Sequence, residues 1–253
     1  MRIIITAGGT GGHIYPALSV VEKAITNKDE ILYIGTTNRM ESELIPKKGI
    51  PYEGIEIYGF SKNIFLDIKN VFKLISSYRK CKKIIKNFKP DVVLGFGGYV
   101  TLPVIYTAHK LGIKTAIHEQ NLIPGKANKF LSNIADTVFV SFKNSVKHIN
   151  NDNIIYSSCP SGERAMLMTK HNKEDLGFNR DKNLIIIVMG SLGSMSVTEK
   201  LKDFLETFDR SDSEILFISG QNCFEASKQF KTPSNVKILK FYNDLPALMK
   251  DAD

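Results

Sequence analysis

The chain contains no tryptophan and three cysteines, and its longest apolar runs, such as Leu184 to Met189, are far shorter than the roughly 20 residues needed to cross a bilayer. These shortages exclude whole classes. Cys81, Cys159 and Cys223 are odd in number and lack paired metal spacing, so neither a disulfide framework nor a metal site is expected. Met1-Arg2-Ile3 runs into a strand-like segment and a glycine-rich loop without a signal-peptide pattern, and a reducing cytoplasm is the expected setting. With 9 prolines and 18 glycines in 253 residues, the chain is neither collagen-like nor disordered. What remains, 43% hydrophobic and 24% charged, is a globular composition long enough for one large domain or two smaller ones.

Acidic residues are scarce in one part of the chain. Residues 1–160 hold 21 Lys and Arg against 12 Asp and Glu, whereas residues 161–253 hold 13 against 14. The net charge of +8 therefore belongs to the first part, which calls for an anionic partner: nucleic acid, a phosphate ligand or anionic lipid.

Short β-branched runs alternate with segments of helical spacing, the pattern of βαβ units around a parallel sheet. Strands are expected at 2–6, 30–34, 52–57, 91–94, 114–118, 137–140 and 153–156. After a polar stretch from Ser161 to Asn183, a second series follows at 184–189, 214–218 and 236–239. The expected fold is α/β with two Rossmann-like parallel-sheet domains, 1–160 and 161–253.

Three strands end in glycine-rich turns that open helices: ITAGGTGGH from Ile5 to His13, VLGFGGY from Val93 to Tyr99, and IVMGSLGS from Ile187 to Ser194. Glycine lets backbone N–H groups approach a ligand, and a helix start offers unpaired donors and a positive dipole end, so each turn is a candidate phosphate cradle. Two familiar variants do not fit. A P-loop needs Lys followed by Ser or Thr at the helix start, where this chain has His13-Ile14. A dinucleotide fingerprint needs a third glycine where Ile14 stands, and an acidic residue after the second strand, which ends near Gly35 without one.

Taken together, GGTGGH at 8–13, GFGGYV at 95–100, HEQN at 118–121 followed by PGKANK, and MGSLGS at 189–194 resemble, in order and spacing, the MurG family of peptidoglycan glycosyltransferases. The resemblance covers essentially the whole chain. It implies a GT-B fold and inverting transfer of N-acetylglucosamine from its UDP ester to the muramoyl 4-hydroxyl of lipid I, the undecaprenyl-diphosphate-linked muramoyl pentapeptide, on the cytoplasmic membrane face. The N-terminal domain would bind the acceptor and the C-terminal domain the nucleotide sugar, with no cofactor and no metal. Thr10, Gly11, Gly12, Gly97, Gly98, Tyr99 and Arg164 would then be substrate-binding, and Asn121, Ser191 and the backbone near Tyr242 would meet the donor. The family's G-x-P-x-R turn reads here Ser158-Cys159-Pro160-Ser161-Gly162-Glu163-Arg164, with Arg164 displaced by two positions. The sequence stops at Asp253, before the segment that in the family supplies ribose and uracil contacts. The second domain is therefore expected to be incomplete, and the chain as written to bind UDP-N-acetylglucosamine poorly and to have little or no transferase activity.

His13 follows glycines at a helix opening, where an imidazole faces whatever the turn binds. An inverting sugar transfer needs a base near the acceptor hydroxyl, and His13 is the candidate. Glu119, in the polar cluster His118 to Asn121 at a strand's C-terminal end, is the second catalytic candidate, as acid/base or orienting group. His109, His148 and His171 read as surface residues without partners. From Ile68 to Lys89 a helical stripe of Ile68, Val71, Phe72, Ile75, Ile84, Ile85 and Phe88 is interleaved with eight basic residues, and Phe60, Ile64, Phe65 and Leu66 precede it as an apolar rim. Basic residues beside apolar ones suggest a peripheral surface for anionic membrane. No nucleic-acid module accompanies the charge, so nucleic acid is the poorer partner. A catalytically impaired, membrane-associated scaffold derived from the enzyme is the alternative to an active transferase.

Overall fold

The computed structural model describes residues 1–57 and 64–253, with residues 64–74 described by their backbone. The expected rim at Phe60, and the side chains of Ile64, Phe65, Leu66, Ile68, Val71 and Phe72, lie outside what is described. The chain forms two compact units, Met1–Gly162 and Glu163–Asp253.

The first unit is built on seven strands: β1 (Arg2–Thr6), β2 (Glu30–Thr36), β3 (Tyr52–Ile55), β4 (Val92–Gly95), β5 (Lys114–Glu119), β6 (Thr137–Val140) and β7 (Ile154–Tyr156). They are all parallel, in the order β3-β2-β1-β4-β5-β6-β7. Helices α1 (Gly11–Thr26), α2 (Met40–Lys47), α3 (Ile64–Phe88), α4 (Thr101–Lys110) and α5 (Lys126–Leu131) connect them. The period of two along each strand divides the core. Ile4, Ile34, Val93 and Ile117 face one side and pack with Cys81, Ile84 and Ile85 of α3 and Val104 and Ile105 of α4. Ile5 and Tyr33 face the other, against Ile14, Leu18 and Val21 of α1 and Ile45 of α2. Both faces are covered, which is why the strands read as nearly continuous apolar runs.

Strand order reverses between β1 and β4, which are paired side by side with Thr6 opposite Gly95. A doubly wound sheet opens a crevice at such a switch point, beyond the carboxyl ends of its strands. Two glycine-rich turns and the HEQN segment leave from the adjacent ends of β1, β4 and β5.

The second unit carries β8 (Asn183–Val188), β9 (Ser213–Ile218) and β10 (Val236–Leu239), parallel and in the order β10-β9-β8. Leu184, Leu216 and Leu248 fill one face, and Leu205, Ile215 and Phe217 the other. Helix α6 (Pro160–Leu167) runs across the division at residue 162, and among the second unit's helices are α7 (Met195–Glu206), α8 (Phe224–Ser227) and α9 (Leu245–Leu248). The stretch expected as a polar connection after residue 160 thus contains a helix. It has no buried residue, so α6 leaves no apolar stripe to read, and Pro160 at its first position is the local signal.

Candidate active site

Thr10 adopts extended backbone at the N-cap of α1, and the glycines around it let the chain fold back on itself. His13 is half-buried on the first turn of the helix. Its Nδ1 lies 3.2 Å from the Gly8 carbonyl oxygen and 3.3 Å from Thr10 Oγ1. A carbonyl can only accept, so Nδ1 carries the proton and the lone pair stands on Nε2. That nitrogen faces the second turn: a Cβ on Gly97 would come within 3.1 Å of it, and Gly97 has φ +107°, so only glycine satisfies both backbone and neighbour. Gly8 N donates to Gly97 O at 3.3 Å, which ties the two turns together.

The third strand end supplies a buried carboxylate. Glu119 is 1% exposed, and its Oε1 accepts from Asn121 N and Nδ2 at 2.8 and 2.9 Å. Oε2 accepts from Gly125 N at 3.0 Å and Asn128 Nδ2 at 3.1 Å. Both oxygens are therefore occupied by donors of the loop that leads into α5. His118, buried beside it, donates from Nε2 to Ser158 O at 3.0 Å, while Nδ1 accepts from Gln120 Nε2 at 3.1 Å. Burial, outweighing Ser158 and the Glu119 charge, holds its imidazole below the ordinary 6.5.

These elements enclose a cavity of about 190 Å³ lined by His13, Gly97, Gly98, Tyr99, Glu119, Lys126 and Asn128 among others. Lys126 and Asn128 had no role in the sequence reading, although both stand in its PGKANK run. Asn128 is 4% exposed, and its Oδ1 has no hydrogen-bond partner among the described residues. Of the expected residues, His13, Gly97, Gly98, Tyr99 and Glu119 meet here, Thr10, Gly11 and Gly12 form the turn below His13, and Asn121 is held to Glu119. Among the described residues, no group of three His, Cys, Asp or Glu side chains is placed to hold a metal ion.

Ser191, Tyr242 and Arg164 belong to the second unit. Gly190 (φ +76°) and Gly193 (φ +81°) shape the turn before α7, and Gln221 N and Asn222 N donate to Ser191 O and Leu192 O at 3.0 and 2.9 Å. The turn is thereby fastened to the one that follows β9. Tyr242 OH meets His171 Nδ1 at 2.9 Å, with the rings edge to face. His171, which has no partner among its sequence neighbours, thus has one 71 positions away. Burial foremost, with Asp175 and Asp244 nearby, raises the Tyr242 phenol above its ordinary value. Arg164 is half-buried in the last turn of α6.

A doubly wound parallel sheet with glycine turns at its switch point, followed by a second parallel-sheet unit with its own glycine turn, is the architecture of the GT-B fold. Residues 3–140 match the glycosyltransferase family 28 N-terminal domain. The chain is 38% identical over 261 aligned residues to the UDP-N-acetylglucosamine–N-acetylmuramyl-(pentapeptide) pyrophosphoryl-undecaprenol N-acetylglucosamine transferase 1 of Bacillus cereus, covering 100% of this chain and 72% of that protein. The crystal structure of Acinetobacter baumannii MurG superposes with a TM-score of 0.69 at 28% identity, over 99% of this chain and 71% of that one. Staphylococcus aureus MnaA with UDP superposes at TM-score 0.71 over 100% of this chain and 72% of that one, but at 14% identity the likeness is one of fold. The chain belongs to the MurG family.

Proposed function

We propose that this chain transfers N-acetylglucosamine from UDP-N-acetylglucosamine to the muramoyl 4-hydroxyl of lipid I, with His13 as general base. The observation that carries this reading is the pairing of His13 Nδ1 with the Gly8 carbonyl, which leaves Nε2 as the acceptor facing the cavity. Nε2 takes the hydroxyl proton as the acceptor oxygen attacks the anomeric carbon. The bond from that carbon to the donor phosphate breaks on the opposite face, the configuration inverts, and UDP leaves with the electron pair. Charge developing on the departing diphosphate suits the glycine turn Gly190–Ser194 at the start of α7, where backbone donors and the helix dipole meet an anion. The first unit is the acceptor side in this reading, with the Lys126 ammonium and the Gly97–Tyr99 turn suited to the acceptor's own diphosphate.

The occupied oxygens of Glu119 support a positioning role over an acid/base one. It orders the loop that presents Lys126 and Asn128 to the cavity. The setting we favour is the cytoplasmic face of the membrane, held peripherally. Among the described residues no helix is long and apolar enough to cross a bilayer. On α3, Arg79, Lys80, Lys82, Lys83 and Lys86 are exposed. The same helix lends Ile75 and Tyr78 to an apolar groove of about 620 Å³ that includes Tyr106 and Phe130 and shares Tyr99 and Lys126 with the cavity. Incubation with radiolabelled UDP-N-acetylglucosamine and a lipid I analogue tests the reading. Label in a β-linked disaccharide acceptor is the outcome of the transferase reading, a folded chain without turnover is that of the impaired scaffold, and release of free or epimerised sugar without acceptor product would refute the transferase reading.

A further inference from the structure

Glu41 takes part in none of these roles, yet it is the most deeply buried carboxylate near the site. It stands on α2 with no solvent exposure. Its Oε1 accepts from Thr36 N at 3.2 Å and Thr36 Oγ1 at 2.7 Å, and its Oε2 accepts from Gly9 N at 3.2 Å. A carboxylate taken out of water is costly unless its partners do something useful with it. The chain also makes room for it: a Cβ on Gly35 would lie 2.7 Å from Glu41 Cγ, and one on Gly8 would run into Oε1.

The Gly9 N–H and the Gly8 C=O are the two ends of one peptide group. That group is planar and trans, as all peptide bonds described here are, so the two ends point in opposite directions. At one end the N–H donates to Glu41. At the other the C=O accepts the Nδ1 proton of His13 at 3.2 Å. A single peptide thus joins a buried carboxylate to the candidate base. Hydrogen bonds in such a chain polarise one another: a donor bound to a carboxylate pushes electron density onto its own carbonyl oxygen and makes it a better acceptor.

We propose that Glu41 is a positioning residue for His13, acting through the Gly8–Gly9 peptide to keep the proton on Nδ1 and the lone pair on Nε2. This rests on the reading of His13 as the general base. No proton passes through the peptide. The acceptor hydroxyl proton goes to Nε2, Nδ1 keeps its own, and the polarised carbonyl steadies the imidazolium that results. The arrangement does by way of the main chain what a carboxylate bonded directly to a catalytic histidine does elsewhere.

The test is nitrogen-15 NMR of the histidine rings in the labelled protein, with His13 assigned by its absence in His13→Ala, alongside steady-state kinetics. In the unsubstituted protein the Nδ1–H tautomer of His13 is expected to predominate; an Nε2–H majority there overturns the proposal whatever the variants do. Glu41→Gln should shift His13 toward the other tautomer and lower kcat by about 10- to 100-fold, with KM for the donor within about twofold. Thr36→Val removes a hydrogen bond from the same carboxylate but leaves the Gly9 link. It should cost stability while keeping the His13 tautomer and kcat within about twofold. An unchanged tautomer in Glu41→Gln contradicts the relay. A shifted tautomer with unchanged kcat upholds the relay and removes His13 from the chemistry, so the two readings fail separately.

Discussion

The contacts of His13 and His118 place their ring protons on opposite nitrogens, the difference between the base proposed for His13 and a structural role for His118. His118 spends both nitrogens inside the protein, on Ser158 O and Gln120 Nε2, and is 3% exposed. Protonating Nδ1 would set two donors against each other. Its folded pKa therefore lies below the unfolded 6.5, so the unfolded chain binds the extra proton first as pH falls. The stabilisation is fully present above 6.5 and is lost as pH drops from there through the folded value. Thermal unfolding should show a midpoint falling between about pH 7 and about pH 5, and a shallower fall in His118→Gln; parallel curves would contradict this origin. His13 was legible in the sequence because four local glycines and a helix start announce it. His118 and Glu119 were legible as a polar cluster at a strand end, but not the partners that occupy them, since Ser158 is 40 positions away. Glu41 drew no attention in the sequence, because nothing in MESEL tells that Gly9 waits behind it.

At the scale of elements, the chain uses glycine where a turn must lie against another turn. Gly193 combines φ +81° with a Cβ direction blocked by Ser219 O and by Cys223 Sγ, 2.7 Å away. Gly112, with φ +70°, has nothing within 4 Å. Alanine at Gly112 should cost about 1 kcal/mol, the backbone strain alone, whereas Gly193→Ala should cost about 2–4 kcal/mol and weaken UDP binding. Denaturant unfolding with UDP titration measures both, and equal losses at the two positions would show that the interlock of turns is unimportant. The ten strands were legible within a residue or two, since parallel strands buried on both faces are simple apolar runs. Helix α6 was not. Met166 and Leu167 on it are 82% and 79% exposed, so the hydrophobic period that marks other helices has no packing behind it.

Over the whole molecule, the charge is divided as the function would require: 21 basic against 12 acidic residues before residue 161, and 13 against 14 after it. Each surface Lys or Arg close to an anionic leaflet contributes about 1 kcal/mol at most, screened over a Debye length of about 8 Å at physiological salt. Vesicle co-sedimentation should therefore show binding to anionic vesicles that fades with salt and is reduced by reversing Lys82, Lys83 and Lys86 to Glu. Equal binding to neutral vesicles would contradict the electrostatic account. Fold alone does not separate transferase from epimerase, since UDP-N-acetylglucosamine 2-epimerases superpose at 12 to 14% identity with TM-scores of 0.66 and 0.67. The 38% identity to the Bacillus cereus transferase over the whole chain does. The most direct test of the account is the rate of N-acetylglucosamine transfer to a lipid I analogue by His13→Ala relative to the unsubstituted chain, with folding verified by thermal unfolding. The account predicts a kcat lower by about 10²–10⁴ at an unchanged unfolding midpoint. A folded variant that transfers the sugar at a near-normal rate would contradict it.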